Sequence, residues 1–305
     1  MSKRVDFAKE RRAQGRAFGA AVRDILGSIE PLAAQQGIDL QAQLKESSAR
    51  TDKEDRKVAE GLQEPVVPLF VSDDEGHPDR IGSCVLVRVD AGLYAFTAAH
   101  VVDSIGSDRV FAPSEGRGGK LLPLPPCNAH VKSSRDDNNL DVAVLALPPD
   151  NLGPFQTRTF LSDSEIDEKD RPDDPSLTSF YLVLGYSASR TQVKVYRGKR
   201  LVHQKSFRCR THPVSASEYV LERLSQADHI ALDFDHNEIV VGGRRTQPPK
   251  LQGVSGGGIF HMSTATRQGP LVAIATQNRR NSRLVIGTRL KHFLAVARGL
   301  NAVSR

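Results

Sequence analysis

From Pro65 onward the sequence breaks into short apolar runs separated by turn residues, and this texture constrains the fold more than any other feature. The first run extends from Val66 to Val71, and a hairpin is predicted around Asp90-Ala91-Gly92. The remaining predicted strands are 142–147, 180–184, 192–196, 229–234, 238–241, 258–261, 271–276 and 284–287. Many short strands with Gly, Pro and Asp turns are typical of a sandwich or barrel, so the chain is predicted to be mainly β.

Helical segments flank this β-rich region. Residues 5 to about 62 are predicted to be helical, because apolar side chains between Phe18 and Ile29 recur on one helix face. Thr288 is expected to cap a closing helix whose apolar face begins at Leu290. The Asp-rich stretch 162–175 has little to bury and is predicted to separate two halves. The expected parts are a helical region at 1–64, a first half at 65–165 and a second half at 176–305.

Composition restricts the class of protein. A 39% hydrophobic and 26% charged composition is ordinary for a folded soluble chain, and no segment has the roughly 20 apolar residues of a membrane span. The three cysteines are widely spaced, which favours reduced thiols in a cytoplasmic protein over disulfides or zinc ligands. Without a signal-peptide pattern, a cytoplasmic location is expected. No metal-ligand spacing or phosphate-binding loop is present, so no metal and no cofactor are expected.

The net charge of +6 is unevenly distributed. Residues 1–23 carry seven basic and two acidic side chains, and residues 256–305 carry eight basic and none acidic. Basic segments can bind nucleic acid, but these arginines are not interleaved with aromatic residues as in single-strand binding surfaces. A solvated basic face is therefore favoured over nucleic-acid binding.

Three short motifs carry candidate catalytic residues. They are Thr97-Ala98-Ala99-His100, then Asp141 opening an apolar run, then Gly253-Val254-Ser255-Gly256-Gly257. A serine hydroxyl is a poor nucleophile at neutral pH, so Ser255 would need His100 to take its proton. His100 in turn would need Asp141 to fix its tautomer and stabilise the imidazolium. The three residues together indicate acyl transfer, most simply peptide-bond hydrolysis.

The glycine-rich turn adds a second element of that chemistry. Backbone N–H groups of Gly253 and Ser255 are predicted to form an oxyanion hole. The same segment also fits the Gly-x-Ser-x-Gly elbow of α/β-hydrolases, whose chain order is nucleophile, acid, histidine. No Asp or Glu follows Ser255, which excludes that alternative. The order His, Asp, Ser is that of the double-barrel proteases.

On these motifs, residues from about 66 to 298 resemble the trypsin-like (chymotrypsin-fold) serine proteases. The resemblance implies two six-stranded antiparallel β-barrels with the site in the cleft between them. It implies that His100 is general base and then acid, that Asp141 orients it, that Ser255 attacks, and that the amides of Gly253 and Ser255 stabilise the oxyanion. Leu184-Gly185-Tyr186 resembles the Gly-aromatic corner after the first strand of the second barrel in bacterial members.

Departures from the family pattern narrow the resemblance. Val254 stands where secreted members carry the Asp that pairs with a newly cut N-terminus, and Val101 stands where they carry a half-cystine. Both departures are similar to the intracellular and periplasmic bacterial branch. Pro249 stands where trypsin has the Asp that selects Lys or Arg, so cleavage after basic residues is not expected. The substrate-pairing edge strand is expected at Ala275, Thr276 and Gln277.

The sequence thus predicts a cytoplasmic serine endopeptidase that acts on a protein or peptide through an acyl-enzyme. Two alternatives stay open. One is a catalytically silent protease fold that serves as a peptide-binding or scaffold module. The other is a protease held inactive until a partner protein engages the helices of residues 1–64, a region that matches nothing in the protease fold.

Overall fold

The fold is described from a computed structural model, and its contacts divide the chain into two compact units. The larger comprises 58–234, 249–279 and 284–305, and the smaller comprises 1–57, 235–248 and 280–283. The predicted three-part division of the chain stays a prediction. The structure describes residues 24–25, 28, 31, 39–72, 78–103, 110–114, 120–124, 140–168, 179–196, 199–234, 239–241, 244–246, 251–266 and 268–303.

Six strands form a first antiparallel sheet: β1 (Val66–Ser72), β2 (Pro78–Val89), β3 (Gly92–Thr97), β4 (Val110–Pro113), β5 (Leu121–Pro123) and β6 (Ala143–Leu147). Their order in the sheet is β5-β4-β1-β2-β3-β6. The hairpin of β2 and β3 forms as predicted, because Asp90 takes a left-handed φ of 51° and Gly92 opens the return strand. Strands β4 and β5 were not predicted.

Six further strands form a second antiparallel sheet: β7 (Ser179–Tyr196), β8 (Lys199–Thr211), β9 (His229–Asp233), β12 (Gly258–Ser263), β13 (Leu271–Arg279) and β14 (Leu284–Arg289). Their order in the sheet is β8-β7-β12-β13-β14-β9. The two strands predicted at 180–184 and 192–196 are one strand. The ladder with the unpredicted β8 runs through Tyr186 and resumes at Thr191, with a register shift between these two residues.

Four α-helices are described: α1 (Leu40–Leu62), α2 (Ala99–Asp103), α3 (Ala216–Leu221) and α4 (Leu290–Val303). Asp39 caps α1, since its Oδ1 accepts the Ala42 N–H at 2.9 Å. The helical prediction for residues 5–23 lies outside the described residues. The prediction that Thr288 caps α4 is wrong. Thr288 pairs with His229 inside the sheet, so its backbone belongs to the ladder and α4 begins directly after the strand.

One buried cluster joins both sheets to α4. Phe96 and Val144 contribute from the first sheet, Leu184 and Phe260 from the second, and Phe293 from the helix. The Phe96 and Phe293 rings lie 5.4 Å apart, and both side chains are fully buried. The predicted mainly β fold, with two six-stranded antiparallel sheets and a C-terminal helix, is therefore confirmed, and α4 is fixed by the cores of both sheets.

The smaller unit contains the first eighteen residues of α1 and a two-stranded antiparallel hairpin. The hairpin pairs β10 (Ile239–Val241) with β11 (Arg244–Thr246). The strand predicted at 238–241 is thus present, and β11 was not predicted. The strands of this hairpin are distinct from the two six-stranded sheets.

Candidate active site

The edge of the first sheet brings two of the three candidate residues together. The pairing of β3 with β6 ends with Thr97 opposite Ala143. Because the strands are antiparallel, the chain leaving Thr97 and the chain entering Ala143 meet at one edge. His100 lies in α2, directly after β3, and Asp141 lies just before β6. The register of the sheet therefore sets these two side chains side by side.

Asp141 holds His100 at two points. The Oδ2 atom lies 2.5 Å from His100 Nδ1, and Oδ1 accepts the His100 backbone N–H at 3.0 Å. The Asp141 side chain is 9% exposed, whereas that of His100 is 38% exposed. This bond favours the tautomer with hydrogen on Nδ1, which leaves Nε2 as the nitrogen able to accept a proton. The pair has the arrangement that a general base with an orienting carboxylate requires.

The turn that carries Ser255 depends on two glycines. Gly253 has φ 88° and Gly256 has φ 85°, a region that L side chains rarely adopt. A β-carbon on Gly256 would also collide with the Ser83 carbonyl oxygen and with Thr97 Oγ1. The sequence motif therefore reflects a steric requirement, because only glycine fits where this turn meets the first sheet.

The first half of the turn is fixed at three of its backbone groups. The Gly253 carbonyl accepts a hydrogen bond from Ser83 Oγ at 2.9 Å. The Val254 N–H donates to the Leu251 carbonyl at 2.9 Å, and the Val254 carbonyl accepts the Gly257 N–H at 2.9 Å. The peptide planes that follow Gly253 and Val254 are therefore held in one orientation.

The second half is fixed in the same way by both sheets. The Ser255 carbonyl accepts the Ser83 N–H at 2.8 Å, from the first sheet. The Gly256 N–H donates to the Ala275 carbonyl at 2.7 Å, in the second sheet. Ser255 itself is half-buried, and both of its flanking peptides are anchored.

Two backbone donors of the turn have no acceptor among the residues that the structure describes. These are the N–H groups of Gly253 and Ser255, the pair predicted to form the oxyanion hole. A buried turn normally satisfies its N–H groups internally. Two donors without an acceptor in the described residues, in a turn whose Gly253, Val254 and Ser255 carbonyls are all bonded, are what an anion-binding site requires, because no internal bond has to break before the ligand is bound.

Gly82 lies between the Ser255 turn and the residue that follows His100. A β-carbon on Gly82 would meet the Val101 side chain at 2.6 Å and the Ser255 carbonyl oxygen at 3.0 Å. Val101 is the residue after His100, so Gly82 separates the two motifs by the thickness of one backbone. All three candidate residues belong to the larger unit.

The expected substrate-pairing residues lie in β13. Ala275 and Thr276 are buried, and the Thr276 hydroxyl donates to the Ile286 carbonyl at 3.4 Å. Gln277 is half-buried, and a register shift between Ala275 and Gln277 interrupts the pairing with β14. A peptide at this place would therefore meet backbone groups and the Gln277 side chain.

The ladder between β12 and β13 stops before β13 ends. Its last pair is Gly258 with Ile274, after which Ala275 is the last residue of β13 to bond this segment, through the Gly256 N–H and the Gly257 carbonyl. Strand β13 continues for four residues to Arg279. Beside the Ser255 turn, an extended peptide can therefore align with this end of β13 as a further strand.

An ion pair that the sequence did not reveal orders this end of β13. Arg279 Nη1 lies 2.8 Å from Glu222 Oε2 and donates to the Glu222 carbonyl at 2.7 Å. The same guanidinium donates from Nη2 to Gln277 Oε1 at 3.2 Å. The side chains of Arg279 and Glu222 are 26% and 15% exposed, so the pair is largely shielded from solvent and fixes the Gln277 amide.

Arg80 is a second feature that sequence reasoning missed. Its guanidinium is buried, donates to the Ser187 carbonyl, and lies 5.7 Å from the centre of the Phe70 ring and 5.5 Å from that of Tyr186. Burial lowers the pKa of Arg80 to about 10, so it stays charged at neutral pH. A charged residue in an apolar strand was the available signal, because arginine is seldom fully buried.

The Leu184-Gly185-Tyr186 segment lies inside β7 and forms no corner, which corrects that expectation. The glycine has another role. A β-carbon on Gly185 would lie 3.1 Å from Val254 Cγ1 and from the Val254 carbonyl oxygen. Gly185 therefore allows β7 to approach the Ser255 turn closely.

The cysteines offer no competing nucleophile among the described residues. Cys84 is fully buried, and Cys209 is not part of a disulfide. Cys209 is half-buried, and desolvation, with a smaller effect of Asp233, raises the pKa of its thiol to about 12, which disfavours the thiolate at neutral pH. Cys127 lies outside the described residues.

Two further kinds of site are absent from the described part of the chain. No group of three or more His, Cys, Asp or Glu side chains is arranged there to hold a metal ion. No helix there combines the length and the apolar character needed to cross a membrane.

Neither a protein-family model nor a curated protein matches this sequence. Among solved structures, the chain is similar to the VesB protease of Vibrio cholerae, with 14% sequence identity and a TM-score of 0.43. The similarity covers 75% of this chain and 61% of that protease, so this chain spans less than two thirds of its length. The likeness concerns the fold alone.

Proposed function

We propose that this chain is a serine endopeptidase that hydrolyses peptide bonds through His100, Asp141 and Ser255. The observation that carries the proposal is the pair of N–H groups at Gly253 and Ser255 that have no acceptor among the described residues, in a turn whose Gly253, Val254 and Ser255 carbonyls are all bonded. The Asp141 carboxylate on Nδ1 of His100 is the second support.

The acylation step follows from these roles. His100 Nε2 takes the proton of Ser255 Oγ as the oxygen attacks the scissile carbonyl carbon. The imidazolium that forms is stabilised by Asp141, which stays ionised. The carbonyl oxygen gains negative charge and receives hydrogen bonds from the N–H groups of Gly253 and Ser255, a stabilisation worth ~3 to 4 kcal/mol per donor.

Collapse of the tetrahedral intermediate completes the first half of the reaction. The C–N bond breaks, and His100 gives its proton to the leaving amine, which leaves an ester on Ser255. Water then attacks this acyl-enzyme with His100 as base. A second collapse releases the carboxylic acid and returns the proton to Ser255.

The proposed enzyme needs no ion pair at a new N-terminus. Val254 is buried, and the turn around it is held by neutral hydrogen bonds with Ser83, Leu251, Gly257 and Ala275. A turn already bonded in its open form removes the need for activation by cleavage. The finer assignment to an intracellular, cytoplasmic, bacterial type is part of the proposal. It rests on Val254 in place of the Asp of secreted members and on the other sequence patterns.

Residues 1–64 are proposed to regulate the enzyme or to bind a partner protein. The last turn of α1 is part of the core of the larger unit, since Ala59 is fully buried and Val58 and Leu62 pack on the same cluster. A test by truncation should therefore remove residues 1–38 and keep α1 and its Asp39 cap. Unchanged cleavage by the truncated protein would contradict the regulatory role.

The proposed function is tested with a fluorophosphonate probe, which phosphonylates an activated serine. Wild type should be labelled, and the adduct should map to Ser255 by mass spectrometry of peptides. Ser255→Ala and His100→Ala should both lose labelling and cleavage of an unfolded protein substrate. Ser263→Ala is the matched control, since Ser263 lies at the end of the following strand and its hydroxyl accepts the backbone N–H groups of Ala265 and Thr266.

The same experiment distinguishes an active enzyme from the catalytically silent alternative. A peptide-binding module would leave the probe unreacted in wild type, while an extended peptide would still bind. Labelling of Ser255→Ala at the wild-type rate would contradict the assignment of the nucleophile.

A further inference from the structure

We propose that Ser83 is a positioning residue that holds the oxyanion turn in its open form, an inference that rests on the proposed function. Ser83 lies in β2 and is fully buried. It contacts the turn with its side chain and with its backbone, from the opposite sheet.

The Ser83 hydroxyl uses both of its hydrogen-bonding roles. It donates to the Gly253 carbonyl at 2.9 Å and accepts the Tyr186 N–H at 3.1 Å. Because the Tyr186 N–H occupies a lone pair, the hydroxyl hydrogen is directed to Gly253. One oxygen thus connects β2, β7 and the turn.

The Ser83 backbone is available for the turn because of where the β2–β3 ladder ends. The last pair of that ladder is Val85 with Phe96, so Ser83 lies beyond it. Its N–H donates to the Ser255 carbonyl at 2.8 Å, and its carbonyl accepts the Thr97 hydroxyl at 2.7 Å. The Ser255 turn therefore takes the place of β3 at this edge.

The hydroxyl matters most at Gly253. Glycine with a φ of 88° has many other conformations within reach, and rotation about its bonds changes the direction of its own N–H. The bond from Ser83 Oγ fixes the Gly253 carbonyl on one side, and the Val254 bond to Leu251 fixes the same peptide plane on the other. Loss of the hydroxyl removes one of these two restraints and leaves Gly253 less ordered.

A positioning role makes a prediction that a purely structural role does not. An oxyanion hole binds the developing charge of the transition state and not the ground state, so its loss lowers kcat with little effect on KM. Removal of a direct donor costs about 10²- to 10³-fold in kcat. Ser83 acts through Gly253, and we expect about a tenfold or larger loss of kcat for Ser83→Ala, with KM changed less than about twofold.

The test uses the full chain with a small activated ester as substrate and phenylboronic acid as inhibitor. Phenylboronic acid forms a tetrahedral adduct with the serine, so its Ki reports the oxyanion hole. In Ser83→Ala, Ki should rise by about the factor by which kcat falls. Thr211→Val is the control, because Thr211 is also buried and its hydroxyl donates to the Asp233 carbonyl, away from the turn.

The outcomes are distinguishable. Absence of ester hydrolysis and of serine labelling in wild type would overturn the proposed function together with this inference. An active wild type with wild-type kcat and Ki in a folded Ser83→Ala would overturn this inference alone. Equal losses of kcat in Ser83→Ala and Thr211→Val, or a loss confined to KM, would also overturn it, since general destabilisation would then explain the effect. If Ser83→Ala does not fold, Ser83→Cys, which keeps a weaker donor, should show the same parallel change in kcat and Ki.

Discussion

The two halves of the proposed site are held by different forces. In the first sheet, His100 and Asp141 are joined side chain to side chain, and the register of β3 and β6 brings them together. In the second, the turn of Gly253 to Gly256 is held by backbone hydrogen bonds and by conformations that glycine alone adopts easily. A substitution in the first half should therefore remove activity while the fold stays intact. A substitution in the second half should remove activity by changing the geometry of the turn while the reactive groups stay in place.

The largest expected effect tests the first half. Asp141→Asn keeps the size of the side chain but removes the charge, and its amide can hydrogen-bond to the wrong nitrogen of His100. We expect kcat to fall about 10⁴-fold, because the wrong tautomer leaves no base for Ser255. Steady-state kinetics measures the loss, and thermal unfolding should show an intact fold. A loss of kcat of less than about tenfold would contradict the claim that His100 depends on the Asp141 carboxylate.

The next effect tests the second half. Gly256→Ala places a methyl group against the Ser83 carbonyl and Thr97 Oγ1 and forces alanine into a left-handed conformation. The conformation alone costs about 1 to 2 kcal/mol, and the collision adds to this, so we expect a loss of both stability and activity.

Gly299→Ala is the matched control for that variant. A β-carbon on Gly299, within α4, would meet no atom within 4 Å. This change should stabilise the fold by about 0.5 to 1 kcal/mol, since glycine in a helix interior is unfavourable. Denaturant unfolding measures both variants. A Gly256→Ala protein as stable as wild type would contradict the steric explanation of the motif.

Two tyrosines offer a smaller comparison between the regions. The Tyr94 hydroxyl in the first sheet lies 2.5 Å from Asn301 Oδ1 and 3.0 Å from the Ala297 carbonyl oxygen, both in α4. Tyr219 in α3 accepts the Ala231 N–H at 2.7 Å. Tyr94→Phe leaves two acceptors, an amide oxygen and a helix carbonyl, that can find other donors, and we expect a loss of about 0.5 to 1.5 kcal/mol. Tyr219→Phe leaves a buried N–H without an acceptor and should cost about 1 to 3 kcal/mol. Equal losses in urea unfolding would contradict this difference.

The smallest effect concerns acid stability. Burial alone would raise the pKa of Asp228, but hydrogen bonds from Ser225, His292 and Lys291 hold this pKa below its ordinary value. Asp228 therefore stabilises the folded state above the pKa of an unfolded aspartate, about 3.9, and this stabilisation is lost as the pH falls through the folded pKa.

Asp228→Asn is the variant that tests this effect. It should lower the free energy of unfolding at pH 7 more than at pH 3. Unfolding curves at the two pH values measure the difference, and activity at pH 7 should be retained. An equal loss at both pH values would contradict the electrostatic origin of the effect.

The strands were predictable where side chains alternate or form an apolar run, as in β1, β2, β6 and β14. Strand β8 was missed because Lys199–Thr211 is polar and is held by its ladder with β7, so its signal lies in another part of the chain. The same reason explains why the two strands predicted at 180–184 and 192–196 form one strand. Backbone pairing needs no particular side chain, and the sequence does not record it directly.

The candidate site was predictable to the extent that its chemistry is local. His100, Asp141 and Ser255 stand in motifs that can be found by residue type and order. Ser83 carries a weaker signal: Gly82 and Ser83 are two small residues in succession within a strand, which indicates a close backbone approach. The sequence could not indicate its partner, because Ser83 and Gly253 are 170 positions apart.

The sequence by itself determined the chemistry available to this protein: a histidine, an acid and a serine in that order, glycines where a turn needs them, and a basic C-terminal segment without acids. Only the tertiary structure decided what each group meets. The basic C-terminal segment, predicted to be a solvated face, forms several ion pairs with acidic residues that precede it in the chain. These pairs are Arg279 with Glu222, Lys291 with Asp228 and Arg298 with Glu168. Residue types fix what a side chain can do, whereas strand register and packing fix its distance from a partner, and both hydrogen bonds and charge interactions depend on that distance.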